Sequence, residues 1–214
     1  MRVRKARPTD LDFVVWVMLT AAQSHLDRCV YETLLNLDRS QISDLYAHVA
    51  NSNIAHWCHL SKFWIAEIDG EPAGAMCGYD PSTEGNAALT EAIAPLLGQW
   101  GVSDRDLQAI LERTAILESC TPKPFPGAWG VENVAVEPKF RGRGITDQLF
   151  KVLLAEGRSR GYPCAQITCL IGNHHAEAAW LRAGFELKAS YHSREFERTY
   201  GCPGLRLLVQ DLSK

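Results

Sequence analysis

The chain has 214 residues, 46% of them hydrophobic, and a formal net charge of −3. That length supports one well-filled core, so a single domain over residues 1–214 is expected. The mildly acidic balance gives no footprint for nucleic acid, and no segment approaches the roughly 20 apolar residues that span a bilayer. The seven cysteines are odd in number and never spaced Cys-x-x-Cys, which argues against a disulfide framework or a structural zinc and for a reducing, cytoplasmic setting.

Val3 to Ala6 reads as a short opening strand. Thr9 is then the expected N-cap of a helix from Asp10, with Asp12 as capping-box partner and Leu11, Val14, Val15, Met18 and Leu19 on one face. Further helical patterns run over 27–37 and 41–49. Phe63 to Ile68 reads as a strand, Asp69-Gly70 as a tight turn, and Ala73 to Tyr79 as the return strand of a hairpin. Residues 81–126 form a helical insertion, with helices over 87–99 and 104–119. Ser103 caps the second of these with Asp106 as box partner, and a proline-rich stretch closes the segment.

A strand over 128–136 follows, then a Gly-rich turn and a helix over 145–160 with Ile145, Leu149, Val152 and Leu153 on its apolar face. The remaining pattern is a strand over 165–171, a helix over 174–182 with Asn173 at its N-cap, and a last strand over 205–212. Extended structure restarts at Gly184-Phe185. The second half therefore alternates β-α-β-α-β-β, an α/β arrangement with a mixed sheet flanked by helices.

The stretch from Val131 to Thr146 carries the most chemistry. A strand ends at Glu137-Pro138, and a turn of glycine and arginine leads straight into a helix. Such a turn aims backbone N–H groups at one point, where the helix dipole favours an anion. Gly142 and Gly144 allow close approach of a diphosphate, and Arg141 and Arg143 can add charge-assisted contacts. A Walker A loop needs a Lys-Ser/Thr pair that is missing, and a dinucleotide fingerprint would need glycine where Asp147 stands.

Arg141-Gly142-Arg143-Gly144-Ile145-Thr146 instead resembles the CoA-pyrophosphate signature of the GNAT superfamily, Arg/Gln-x-x-Gly-x-Gly/Ala. Asn173-x-x-Ala176-x-x-Ala179-Trp180-x-x-x-Gly184-Phe185 is similar to that family's second hallmark, and Arg7-Pro8-x-Asp10 to its first strand–helix junction. The hallmarks cover about residues 128–190, with weaker support at 3–20 and 63–80. The resemblance implies a GNAT-like acyl-CoA N-acyltransferase fold. Its sheet would be mixed, mostly antiparallel and splayed in the middle, with the insertion between the third and fourth strands.

It also implies acetyl-CoA as acyl donor and no metal. The pyrophosphate would sit on the backbone of Gly142, Arg143, Gly144, Ile145 and Thr146 beside Arg141. The pantetheine arm would run along Val134, Ala135 and Val136, with Asn173 touching the arm or the far end of the cofactor. Two residues depart from the family pattern. Thr146 stands where Gly or Ala is usual. Trp180 stands where many members carry a tyrosine that protonates the departing thiolate. That task would pass to Tyr191, Tyr79 or water, and the departure also leaves open a CoA-binding module that has lost catalysis.

In the family's usual chemistry an amine attacks the thioester directly while both ligands are bound. An alkylammonium has a pKa near 10 and must first lose a proton. Glu132, beside the acyl end, is the candidate base; it also reads as an exposed strand carboxylate or a partner for the insertion. A backbone N–H on 134–136 would meet the oxyanion, by analogy with the family. His56 and His59 lack further metal ligands, and His174-His175 reads as a solvated helix start. His175-Ala-Glu177 lacks the downstream cysteine pair of a zinc deaminase.

The acceptor is expected to be the amine of a small molecule or peptide. A protein or peptide acetyltransferase would need an open groove, whereas a lid would favour a small molecule. The insertion carries Glu84, Glu91, Asp104, Asp106, Glu112 and Glu118. It either flanks the acceptor side or packs as a solvated pair on the N-terminal helices or a dimer mate. Pairing of terminal strands into a homodimer is compatible with the pattern.

Overall fold

The computed structural model describes residues 1–100 and 102–213. In chain order the elements are β1 (Arg2–Lys5), α1 (Leu11–Gln23), α2 (Val30–Leu35), α3 (Arg39–Ala50), β2 (Phe63–Ile68) and β3 (Glu71–Tyr79). The insertion supplies α4 (Asn86–Gln99) and α5 (Asp104–Cys120). Then come β4 (Ala128–Val136), α6 (Ile145–Ser159), β5 (Cys164–Leu170), α7 (His174–Arg182), β6 (Glu186–His192), α8 (Arg194–Tyr200) and β7 (Gly204–Asp211).

The strands form one seven-stranded sheet in the order β1-β2-β3-β4-β5-β7-β6. Among the described residues β4–β5 is the one parallel neighbour pair; the others are antiparallel. The α/β class, the mostly antiparallel sheet and the insertion between the third and fourth strands are as the sequence led us to expect. Asp69 and Gly70 both adopt positive φ (53° and 84°), the geometry that suits a two-residue turn to the twist of β2 and β3.

Two apolar clusters cover opposite faces of the sheet. On one face α1 and α3 bury Val14, Met18, Ile42 and Leu45 against Phe63, Ile65, Ala75 and Cys77. On the other α6 and α7 bury Leu149, Phe150, Leu153 and Trp180 against Met76, Trp129, Val131 and Ile167. A third cluster joins α2, α5 and α8 through Val30, Leu34, Cys120, Phe196 and Tyr200. Small residues on β3 let α6 approach closely: a Cβ at Gly74 would lie 2.9 Å from Ile145 Cγ2.

Several local expectations are corrected. Thr9 does not cap the first helix. Residues Pro8–Asp10 form a 3-10 turn, and the Asp10 carboxylate accepts from Arg7 N at 2.7 Å while pairing with Arg4 at 2.6 and 2.9 Å. A carboxylate already paired with arginine outcompetes a threonine hydroxyl as the turn's acceptor. The helix expected over 27–37 shrinks to α2, because Asn36 turns left-handed and ends it. Ser103 accepts from Asp106 N as expected, but Asp106 accepts the Ser103 hydroxyl rather than its backbone N–H.

The expected β-α-β-α-β-β run omitted α8. Seven residues carry too little periodicity to show, although Ser193 caps the helix and Gly201 closes it in the left-handed region. All seven cysteines are free, and all but Cys164 are buried. Among the described residues no helix is long and apolar enough to cross a membrane.

Candidate active site

The ladder between β4 and β5 runs only from Ala128↔Cys164 to Val131↔Ile167. On its other side β4 stays paired with β3 as far as Val136↔Gly74. Past Val131, therefore, the edge of β4 that faces β5 has no strand beside it, and the sheet opens into a wedge. Val134, Ala135 and Val136 line this free edge. Val134 and Val136 pack toward α6, and Ala135 toward α1.

A β-bulge shapes the start of the wedge. Between the pairs Ala75↔Ala135 and Cys77↔Glu132, Met76 opposes both Asn133 and Val134. Asn133 takes up the extra residue with φ 52°, a region open to Asn at modest cost. Its buried Nδ2 lies 3.4 Å from Trp57 O, 3.9 Å from Cys58 Sγ and 3.8 Å from Cys77 Sγ. The bulge turns two consecutive side chains, Glu132 and Asn133, to the α1 face.

Glu132 accepts a hydrogen bond from Thr168 Oγ1 at 3.0 Å across the opening of the wedge. Its carboxyl is surrounded by weakly polar groups, among them Tyr31, Tyr79, Cys58 and Cys77. Desolvation raises its pKa from 4.5 to about 7, against the opposing pull of the Thr168 hydroxyl. The residue keeps part of its surface open. The partner is thus Thr168 on β5, not the insertion. Burial pushes the Tyr79 and Tyr31 phenols well above their ordinary value, so both stay protonated.

At the far end of the wedge the chain turns from β4 into α6. Gly142 (φ 77°) and Gly144 (φ 70°) use the left-handed region, and among the described residues no atom beyond the adjoining residues lies within 4 Å of a Cβ built on either. The surface above them is open backbone at a helix N-terminus, with Gly144 at the N-cap. Arg141 and Arg143 are exposed. Arg141 Nε donates to Val136 O at 3.3 Å, and the Arg143 guanidinium stands 5.5 Å from the Phe140 ring. Thr146 is half-buried, while the Ile145 side chain is anchored in the core, leaving its backbone for a ligand. This set fits a diphosphate.

Asn173 caps α7, its Oδ1 accepting from Ala176 N at 3.1 Å, and its Nδ2 donates to Ser24 Oγ at 2.6 Å. Its amide is engaged at both ends and ties the α1–α2 loop to the start of α7. Trp180 is buried and stands edge-on to Phe150, with centroids 5.4 Å apart. Tyr191 lies on β6, separated from β4 by β5 and β7, and its ring packs with the cluster of α2, α5 and α8. The structure brings Glu132 to the wedge but does not bring Tyr191 beside it.

The insertion lies on the same face as Glu132. α4 packs on α3, α5 packs on α2 and α8, and Phe125 N donates to Gln166 Oε1 of β5 at 2.5 Å. Of its carboxylates, Glu84 is tied to Lys62, whereas Glu91, Asp104 and Glu118 are exposed. His56 is buried, accepting from Cys58 N at 3.1 Å, and His59 caps a 3-10 turn. Among the described residues no three His, Cys, Asp or Glu side chains converge as a metal site. Sequence reasoning missed Thr168 and Asn133; a poor strand former beside a glutamate within β4 was the available sign of a bulge.

Comparison with known proteins agrees with this geometry. The model of the Acetyltransferase (GNAT) family matches residues 31–185. A search of curated protein sequences finds no match. One solved structure, described as an acetyltransferase, has a TM-score of 0.69 at 16% identity, with all of both chains covered. An N-acetyltransferase from Staphylococcus aureus Mu50 has a TM-score of 0.66 at 17% identity, covering 98% of this chain and 100% of that one. yncA from Salmonella typhimurium, solved with its cofactor acetyl-CoA, has a TM-score of 0.53 at 14% identity, covering 100% and 94%. At such identities the likeness is one of fold.

Proposed function

From the premise that the chain belongs to the GNAT family of acetyltransferases, and so is an acyl-CoA-dependent N-acetyltransferase, we propose that Glu132 is the base that frees its acceptor amine for attack. The acceptor is the primary amine of a small molecule or peptide, and both substrates are held together while the amine attacks the thioester. One observation carries this reading: a carboxyl with a pKa of about 7 stands where β4 parts from β5. At neutral pH a large share of it is already ionised, and its basicity is matched to proton transfer at that pH.

The other residues take roles consistent with their places. Gly142 to Thr146 hold the pyrophosphate by backbone N–H groups, with Arg141 and Arg143 adding charge. The free edge of Val134, Ala135 and Val136 offers backbone hydrogen bonds to the pantetheine arm and to the oxygen that becomes negative during attack. Asn173 ties the α1–α2 loop to the start of α7 past the end of β5, at the wide end of the wedge. The Tyr79 phenol, with its raised pKa, keeps its proton near the site. Tyr191, in the wall made by α2, α5 and α8, contributes to acceptor binding rather than to thiolate protonation. The insertion completes that wall, and its exposed carboxylates favour a cationic acceptor.

The test is a pH profile of kcat/KM on a panel of primary amines, with acetyl-CoA binding measured alongside. A rising limb near pH 7, absent in Glu132→Gln while acetyl-CoA still binds, supports the reading. Turnover of Glu132→Gln close to that of the wild type would sink it.

A further inference from the structure

Gly130 stands inside β4, where glycine weakens a strand and marks a close approach by another group. Its partner across the ladder with β3 is Tyr79. The phenol ring folds over the glycine: a Cβ on Gly130 would lie 2.5 Å from Tyr79 Cε1, 2.6 Å from Cζ and 2.9 Å from Cδ1. Any other residue here would push the ring away. The ring is 7% exposed and belongs to the cluster on the α1 face. Side chains two apart on a strand share a face, so Glu132 stands one step further along β4 on that same face. Burial, and behind it the nearby Glu132 charge, keeps the phenol protonated.

A donor lying along the free edge of β4, with its pyrophosphate past Val136, leads with its acyl group toward the narrow end of the wedge. There the ladder closes at Val131 and Ile167. On the α6 face these two are buried with Trp129 and Leu153, which leaves no room for a chain. On the α1 face the β5 side is filled by Gln166, 6% exposed, whose Oε1 accepts from Phe125 N. Gly130, opposite Gln166 in the parallel ladder, brings no side chain to this face. The Tyr79 ring takes that space instead.

We propose that the Tyr79 ring, laid over Gly130, sets the length of the acyl group and holds the donor to acetyl. The inference rests on the acetyl-CoA reading above and names the residue that selects among acyl donors. An acetyl methyl ends beside Glu132, short of the ring. Each further methylene must enter the volume that the ring fills. In a packed layer, added atoms force strained side chains or a shifted backbone. The side toward Glu132 offers no escape, because the acceptor nitrogen must reach the acyl carbon from there. Selection works by shape: the ring carbons occupy the space, and the hydroxyl takes no part.

The test measures kcat/KM for acetyl-, propionyl- and butyryl-CoA on one primary amine, with calorimetric titration of the same donors, which needs no acceptor. Tyr79→Phe keeps the ring, and Tyr79→Ala empties the space over Gly130. Tyr79→Leu fills part of it and stands in where the larger truncation fails to fold. In the wild type we expect butyryl-CoA to fall about 10²-fold below acetyl-CoA in kcat/KM. Tyr79→Phe should keep that ratio whatever its rate. Tyr79→Ala should bring the two donors within about threefold or reverse them, with Tyr79→Leu between. In titration, Tyr79→Ala should favour butyryl-CoA over acetyl-CoA by about tenfold more than the wild type does. A ratio that survives in Tyr79→Leu and Tyr79→Ala, or one that is lost in Tyr79→Phe, overturns the proposal and leaves donor binding intact. So does a wild type that takes butyryl-CoA as readily as acetyl-CoA. A wild type that binds no acyl-CoA removes the acetyl-CoA reading itself.

Discussion

The two faces of the wedge between β4 and β5 are built by different means. The face toward α6 and α7 comes largely from one continuous run, β4, the turn and α6, with α7 following closely. The groups proposed to hold the donor there are backbone N–H groups and glycines, so its chemistry depends on chain path more than on side-chain identity. The face toward α1 gathers Glu132 from β4, Thr168 from β5, Tyr31 from α2, Tyr79 from β3 and a wall from α5 and α8. Its chemistry depends on individual side chains meeting across the fold. A binding surface of the first kind suits a constant donor, and one of the second kind suits an acceptor that selection can vary.

That contrast can be broken most sharply at Glu132. Glu132→Gln removes the proposed base but little volume, and we expect kcat/KM to fall by about 10²–10⁴ with acetyl-CoA affinity unchanged. Initial rates and calorimetric titration on the same samples separate the two effects. Equal losses in binding and turnover would mean that the faces are not independent. The converse variant, Arg143→Glu with Gly144→Asp, places two negative charges on the anion cradle. It should weaken acetyl-CoA by about 10² in titration, with much of kcat recovered at saturating donor. Arg143 is exposed, but Gly144 sits at φ 70°, so the aspartate strains the left-handed cap and the melting temperature should fall by a few degrees.

The same division explains what could be read from the sequence. The glycine turn before α6, the strand before it and the Asn173 cap were legible because each is local: glycine and cap residues announce their backbone geometry within a few positions. β2, β4 and α7 were bounded correctly for the same reason. The partner of Glu132 was not legible, because Thr168 lies 36 residues away and meets it only through the parallel register of β4 with β5. α8 was hidden by its length, and the start of α1 by the ion pair of Arg4 with Asp10. The direction of Glu132 depended on the bulge at Asn133, whose positive φ no composition rule supplies.

Thr168 offers a smaller and more specific effect. Its hydroxyl holds the Glu132 pKa down against desolvation. Thr168→Val keeps the strand shape and removes that donor, so the rising limb of kcat/KM should move above pH 7 by about one pH unit. Activity at pH 7 should fall less than tenfold and recover at pH 9. A uniform loss at every pH would instead indicate that Thr168 positions the acceptor or the strand.

The smallest effect concerns stability, and its sign is opposite to that on activity. The Glu132 carboxyl titrates near 7 in the folded chain and near 4.5 when unfolded. Between those values the folded state binds more protons than the unfolded one, so folding stability falls as pH rises through this window. Below about 4.5 both states are protonated and the group costs nothing. Above about 7 the desolvated carboxylate is charged and the full cost is present. The side-chain amide introduced by Glu132→Gln carries no such charge and can still accept from Thr168. This variant should therefore unfold at higher urea than the wild type at pH 8, by about 1–2 kcal/mol once residual exposure is allowed for, and at the same urea near pH 4.5. A variant that gains stability as it loses turnover would show that the α1 face retains a destabilising group for its chemistry. A variant equally stable at both pH values would mean that water reaches the carboxylate freely, and the rising limb of the rate profile would then have to come from another group.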